Sequence, residues 1–196
     1  MQSPSLGNWM TVEKSDPMRK LVAYELVSLD GGAEDPDAFI TEFDEVMQDN
    51  LARVIASQDA VLLGRRTYEE WAAFWPGSGI QPFSDFINAA RKYVTTSHPL
   101  TPAWNNAVAI EGALSPFIRQ LKKQEGGDIG VHGSLELLGS LLRDDLVDEF
   151  RMVVAPAFHQ EGRRLLECAP SGRLHLTRSV TSPAGYLLLD YSRDSA

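Results

Sequence analysis

The chain has 196 residues, 43% hydrophobic and 23% charged, a formal net charge of −9 and one cysteine. That length fits one domain better than two, and a domain of this size buries about 70% of the surface its unfolded chain exposes, so no disulfide or metal staple is required. The acidic balance argues against nucleic acid, because phosphate neutralisation needs a basic face, and a lone Cys168 forms neither an internal disulfide nor a cysteine-based zinc site.

Residues 1–17, MQSPSLGNWMTVEKSDP, lack the charged start and apolar block of a secretory signal. They are expected to be a polar leader before one domain at 18–196. No apolar run approaches the roughly 20 residues of a membrane span, so a cytoplasmic address without membrane contact is expected. The four histidines, His98, His132, His159 and His175, show no metal-ligand spacing. No metal is expected.

The first element is a buried strand, LVAYELVSL over 21–29, stopped by the turn Asp30-Gly31-Gly32. Phe43, Val46, Met47, Leu51, Val54 and Ile55 recur at helical spacing and predict an amphipathic helix. Ala60 to Leu63 is a short apolar run ended by Gly64, which predicts a central strand. Thr67 followed by Glu70 matches a capping box, so a helix is expected from Tyr68 to Phe74, ended by Trp75-Pro76-Gly77.

A short helix over Asp85–Ala90 and strands over Lys92–Thr96 and Ala107–Ile110 follow. Ser115-Pro116 predicts a capped helix start, with Gly126-Gly127 closing that segment. Asp128 to His132 is a strand, and Gly133-Ser134 is expected to cap a helix whose apolar face is Leu135, Leu138, Leu141 and Leu142. The chain ends with a strand at Glu149–Ala155 and a hairpin of Leu174–Val180 and Tyr186–Tyr191. Strands alternating with helices and finishing in a hairpin predict an α/β fold, its sheet mostly parallel with an antiparallel edge.

Two strand-to-helix junctions have the chemistry of an anion site. At Leu63-Gly64-Arg65-Arg66-Thr67, a glycine, a hydroxyl and two guanidiniums precede a helix, whose start offers unpaired N–H groups and a favourable dipole. An ordinary capped helix with two solvated arginines fits that stretch equally well. At Val131-His132-Gly133-Ser134-Leu135, glycine and a hydroxyl again stand between a strand and a helix, although Glu136 would compete with a phosphate unless it points away.

On neighbouring parallel strands the two junctions would open at one sheet edge, where ligands of open α/β sheets bind. That coincidence favours a dinucleotide. No G-x-G-x-x-G fingerprint is present, so an ordinary Rossmann domain is not supported. Ser97-His98 after the next strand can contact a ribose phosphate, or can be a plain surface loop.

The order and spacing of these pieces resemble the dihydrofolate-reductase-like superfamily, and within it bacterial relatives of the reductase (C-terminal) domain of the riboflavin-biosynthesis deaminase-reductase. The likeness rests on LVAYELVSLDGG, DAVLLGRRTYEEWAAFWP, NAARKYVTTSH, GDIGVHGSLELLGSLLRDDLVDEFRMVVAPAFHQEGRRLL and the closing hairpin, spanning Met18 to Arg193. It implies a three-layer fold in which Gly64, Arg65, Arg66 and Thr67 hold cofactor phosphates. Ser97 and His98 would lie near an adenosine 2′-phosphate, while the loop of Gly130, Gly133, Ser134 and Leu135 wraps the pyrophosphate. It also puts the Ser28–Gly31 turn at the nicotinamide, with Asp30, Phe43, Met47, Trp71 and Trp75 around substrate and Asp30 as candidate proton donor.

Two departures matter. Where many relatives carry a G-x-G segment after Pro156, this chain has Phe158-His159-Gln160-Glu161-Gly162. The zinc-binding deaminase domain is absent, which favours reduction of an unassigned pteridine-, pyrimidine- or similar small C=N or C=O compound by NADPH. The alternative is an NADPH-binding sensor without turnover. The apolar hairpin residues Tyr186, Leu187, Leu188, Leu189 and Tyr191 further predict a homodimer.

Overall fold

The computed structural model describes residues 18–167 and 169–193. The expected leader at 1–17 and Cys168 lie outside the described residues. In chain order the elements are β1 (Leu21–Ser28), α1 (Glu45–Ala56), β2 (Gln58–Gly64), α2 (Arg65–Phe74), α3 (Phe83–Ala89), β3 (Arg91–Thr95), β4 (Ala107–Ala109), α4 (Leu114–Leu121), β5 (Asp128–His132), α5 (Leu135–Arg143), β6 (Glu149–Ala155), β7 (Leu174–Thr181) and β8 (Leu187–Arg193).

The eight strands form one sheet in the order β4-β3-β2-β5-β1-β6-β8-β7. The pairings from β4 through β6 are parallel, and β8 runs antiparallel to both β6 and β7. This is the mostly parallel α/β sheet with an antiparallel C-terminal hairpin that the element order implies. The central strands are apolar on both faces because helices cover both. Leu21, Ala23 and Val27 of β1 join the core under α4 and α5, where Ile118, Leu121, Leu138 and Leu141 are buried. Tyr24 of β1 joins the opposite core with Met47, Leu51, Tyr68, Phe83 and Ile87 from α1, α2 and α3.

Several helix starts differ from the sequence expectation. α1 begins at Glu45, where the Asp44 carboxylate accepts the Met47 N–H at 3.0 Å, leaving Phe43 outside the helix. α2 begins at Arg65 with Gly64 before it, so Thr67 lies inside the first turn and is not its cap. α3 starts at Phe83, ahead of the expected Asp85, with that ring buried. α4 starts at Leu114 without a side-chain cap, because the Ser115 hydroxyl donates to the Asp144 carboxylate instead.

Candidate functional site

The two anion-site junctions meet. β2 pairs in parallel with β3 on one side and β5 on the other, and β5 pairs with β1. The C-terminal ends of β3, β2, β5 and β1 therefore open side by side at one sheet edge. Across the middle of it, the Gly64 N–H donates to Ser134 Oγ at 3.1 Å, and Ser134 Oγ donates to Thr67 Oγ1 at 2.9 Å. Ser134 stands immediately before α5 but makes no side-chain cap to its own helix. Its hydroxyl, and that of Thr67, are spent on the link between junctions rather than on capping.

Around that link there is open space. A Cβ on Gly64 would meet nothing nearer than 3.7 Å, and Gly64 has an ordinary φ of −72°. No protein atom demands glycine there; the hydrogen atom leaves room for something that approaches the backbone. Gly133 has φ +64°, the left-handed region that favours glycine. The Arg65 and Arg66 guanidiniums pair with Glu69 at 2.9 Å and Glu70 at 3.2 Å, and the Arg66 side chain is 76% exposed. Exposed i,i+4 pairs contribute at most about 0.5 kcal/mol, so both arginines are readily drawn to a phosphate. Glu136 is turned to Arg163 at 3.3 Å.

Ser97 and His98 occupy the exposed turn after β3, with Ser97 Oγ 3.1 Å from His98 Nδ1. Leu135 is half-buried at the first turn of α5 and packs against the core, so it offers the site its backbone only. Gly130 is corrected. It lies inside β5, and a Cβ there would stand 2.1 Å from Gln58 Oε1 and 2.6 Å from His132 Nε2. Those two side chains hydrogen-bond at 2.8 Å across the glycine, so Gly130 makes room for a core contact and does not face a ligand.

Beside Gly133 an aromatic wall runs along the α1–α3 face. Trp71 approaches Gly133 and packs edge-on to Phe83 at 5.5 Å, as Trp75 does at 4.8 Å. Phe83 and Tyr24 flank His132 at 5.4 and 5.8 Å. Burial pushes the His132 imidazole down to about 3, so it is neutral. The Trp75 indole N–H is buried without a partner, a donor left unspent in this wall. Met47 is corrected too: it is fully buried in the α1–α3 core and presents no surface to a substrate. Phe43 is half-buried against that core, before α1.

Asp30 is the third correction. Its carboxylate accepts from Ser28 Oγ at 2.7 Å and from the His159 N–H at 2.8 Å, and Arg164 lies at 3.3 Å. The His159 amide, the Ser28 hydroxyl and Arg164 hold its pKa well below the usual carboxylate range, at about 2. A carboxylate ionised so strongly has no proton to give at neutral pH. Asp30 ties the β1 turn to the segment that carries His159 and Arg164.

The RibD C-terminal domain model matches residues 19–188. The chain belongs to the RibD C-terminal domain family. YwjB of Bacillus subtilis (strain 168), uncharacterized, is 30% identical over 141 residues, covering 70% of this chain and 77% of that protein. Among solved structures, a Shewanella sp. PV-4 protein named for riboflavin biosynthesis aligns with TM-score 0.72 at 16% identity, covering 90% of this chain and 99% of its own. Dihydrofolate reductase from Enterococcus faecalis, complexed with NADP(H), aligns with TM-score 0.61 at 12% identity over 90% and 97%. These likenesses establish the dihydrofolate-reductase-like fold for this member of the RibD C-terminal domain family.

One buried acid was not legible as a candidate in the sequence. Glu25, in the middle of β1, is 3% exposed. The Gly133 backbone N–H acts on its carboxyl as a donor, while Oε1 has no partner. Burial pushes its pKa up to about 8. Within the string LVAYELVS only the charge of one residue marked it.

Proposed function

We propose that this chain is an NADPH-dependent reductase of a small organic substrate with a C=N or C=O bond. The observation that carries this reading is the Ser134 hydroxyl joining Gly64 and Thr67, which brings two helix starts to one anion-accepting edge. The site suits the group: open space before Gly64, a left-handed Gly133, two exposed arginines and an aromatic wall with an unspent indole N–H. When bound, NADPH would supply the hydride. Arg65 and Arg66 would hold phosphate oxygens, Ser97 and His98 would take the 2′-phosphate, and Trp71 and Trp75 would wall the substrate and exclude water. The proton comes from a group other than Asp30.

No helix among the described residues is long and apolar enough to cross a membrane. We assign the chain, on the family's character, as a single reductase domain working in the cytoplasm with a small-molecule substrate and without nucleic acid. NADPH is expected to bind more tightly than NADH. Arg66→Ala removes charge-assisted bonds of roughly 1.5–3 kcal/mol, so NADPH affinity falls by about one to two orders of magnitude. Calorimetry giving wild-type affinity for that variant takes Arg66 out of the site. Turnover is read as NADPH consumption with a panel of pyrimidine and pteridine acceptors. Tight binding with no consumption across the panel supports the sensor alternative.

A homodimer is proposed through the hairpin end of the sheet. Tyr186 and Leu188 are buried within their own chain, so they are not available to a partner. Leu187 and Leu176 are 39% and 54% exposed on the α4–α5 face, beside a cavity of about 440 Å³ lined by Val27, Leu29, Met152, Val154 and Leu166. Leu189 and Tyr191 pair with Met152 and Phe150 on that same face. Light scattering is expected to read twice the chain mass, and a monomer mass at micromolar concentration removes the proposal.

A further inference from the structure

After β6 the chain returns to the end of β1 and pairs with it. Gly32 and Arg164 form an antiparallel bridge, the Ala33 N–H donates to the Arg163 carbonyl at 3.0 Å, and the Leu165 N–H donates to the Gly31 carbonyl at 3.0 Å. Just before this pairing the backbone turns at Gly162, with φ +75°, where a Cβ would stand 2.9 Å from the Glu34 Cβ. Only glycine allows that approach. It sets Glu34 against the next residue. Glu34 Oε2 accepts the Arg163 backbone N–H at 3.1 Å, and Glu34 Oε1 accepts from Arg163 Nη2 at 3.0 Å and Nε at 3.2 Å.

One side of the Arg163 guanidinium is thus fixed to the β1 turn. On its other side, Nη1 donates to Glu136 Oε1 at 3.3 Å, in the first turn of α5. That helix is entered through Gly133 and Ser134, and the Ser134 hydroxyl is the one that reaches Gly64 and Thr67. Arg163 therefore spans from the end of β1 to the end of β5, along the edge where the two junctions meet. Arg65 and Arg66 follow β2, so the three arginines are mounted on the two sides of β5.

The two ends of the span are unequal. Glu34 holds Arg163 through three bonds, whereas Glu136 makes one long contact and its side chain is 92% exposed. Water and salt screen an exposed pair of that kind, so it is weak. A guanidinium already fixed on one side loses little freedom when its other side takes an oxyanion.

We propose that Arg163 is a further ligand-binding residue of this site: Nη1 leaves the Glu136 carboxylate for an oxygen of a phosphate seated between the two junctions, while Nε and Nη2 stay on Glu34. Glu136 is the placeholder that the phosphate displaces. This rests on the cofactor reading above for the identity of the anion, a dinucleotide pyrophosphate.

Calorimetry with NADPH and, separately, with inorganic pyrophosphate tests this on wild type, Arg163→Met, Arg163→Lys and Glu136→Gln. Arg163→Met is expected to weaken both ligands about tenfold. Arg163→Lys keeps the charge but cannot bond Glu34 and the anion at once, and is expected to lose about fivefold. Glu136→Gln changes an exposed side chain and removes the competing carboxylate, so both ligands are expected to bind about threefold tighter. A purely structural Arg163 gives the methionine loss without the glutamine gain, and that result overturns the proposal. Wild-type affinity in either Arg163 variant overturns it as well. If NADPH binds wild type and every variant alike, the cofactor reading stands and Arg163 leaves the site. If NADPH does not bind but pyrophosphate shows the expected contrasts, the cofactor reading falls and Arg163 stands as an anion ligand. If neither binds the wild type, both fall.

Discussion

Glu25→Gln is expected to stabilise the protein by about 2–4 kcal/mol above pH 8, although it removes no clash and fills no cavity. The carboxyl has its pKa raised from 4.5 to about 8, with burial as the dominant cause. Below pH 4.5 the acid is protonated both folded and unfolded, so it takes nothing from stability. As pH rises past 4.5 the unfolded chain ionises while the folded one holds its proton. Each pH unit in that window then costs about 1.4 kcal/mol. The loss is complete once the pH passes about 8, and the curve is flat beyond.

Glutamine has no such slope. Its buried amide needs partners of its own, which offsets part of the gain, so the figure lies below the roughly 5 kcal/mol that the full shift would give. Urea melts of both proteins across pH 4.5 to 9 read this directly. The two stability curves are expected to diverge with rising pH, and parallel curves would mean that Glu25 ionises freely in the folded state.

That a stabilising change is one substitution away bears on how the sequence is to be read. The elements were legible because their signals are local: a β-rich apolar run in Glu149–Ala155, a 3.6-residue rhythm over Val46 to Ile55, a turn at Asp30-Gly31. The sheet edge at which Gly64 and Ser134 meet was legible because parallel strand-to-helix junctions repeat along it. What failed was choice among partners distant in the chain.

Thr67 and Ser115 have the chemistry of helix caps, yet Ser134 is 67 residues from Thr67, and Asp144 is 29 residues from Ser115. Asp30 looks like a turn former or an acid until His159, 129 residues on, donates to it. Gly130 looks like a phosphate-loop glycine until Gln58 and His132 close over it. Local chemistry names what a side chain is able to do, and the tertiary neighbour decides which of those it does.

Lys92→Met is expected to lower stability by about 3 kcal/mol, the largest loss we assign to a single side chain outside the hydrocarbon core. Lys92 is 0% exposed, so its ammonium is held wholly by the protein. Nζ donates to the carbonyls of Ile87 at 2.7 Å and Ala90 at 2.9 Å, at the C-terminal end of α3 where helix carbonyls have no intrahelical donor. It also lies over the Trp104 ring, 4.4 Å from its centroid, and Trp104 in turn donates to Asn88 Oδ1 at 2.8 Å.

Methionine retains the hydrocarbon stem and removes the donors, so two carbonyls at the end of α3 lose their partner while packing is nearly conserved. At about 2–4 °C per kcal/mol for a chain of this size, melting falls by roughly 6–12 °C. A second consequence separates this from a general loss of packing. α3 carries Phe83 and Phe86, whose rings stand against Trp75 and His132. Loosening its C-terminal end is therefore expected to change the tryptophan fluorescence of the folded protein below the melting transition. A Lys92→Met protein that melts like the wild type with an unchanged emission spectrum would show that solvent satisfies those carbonyls equally well.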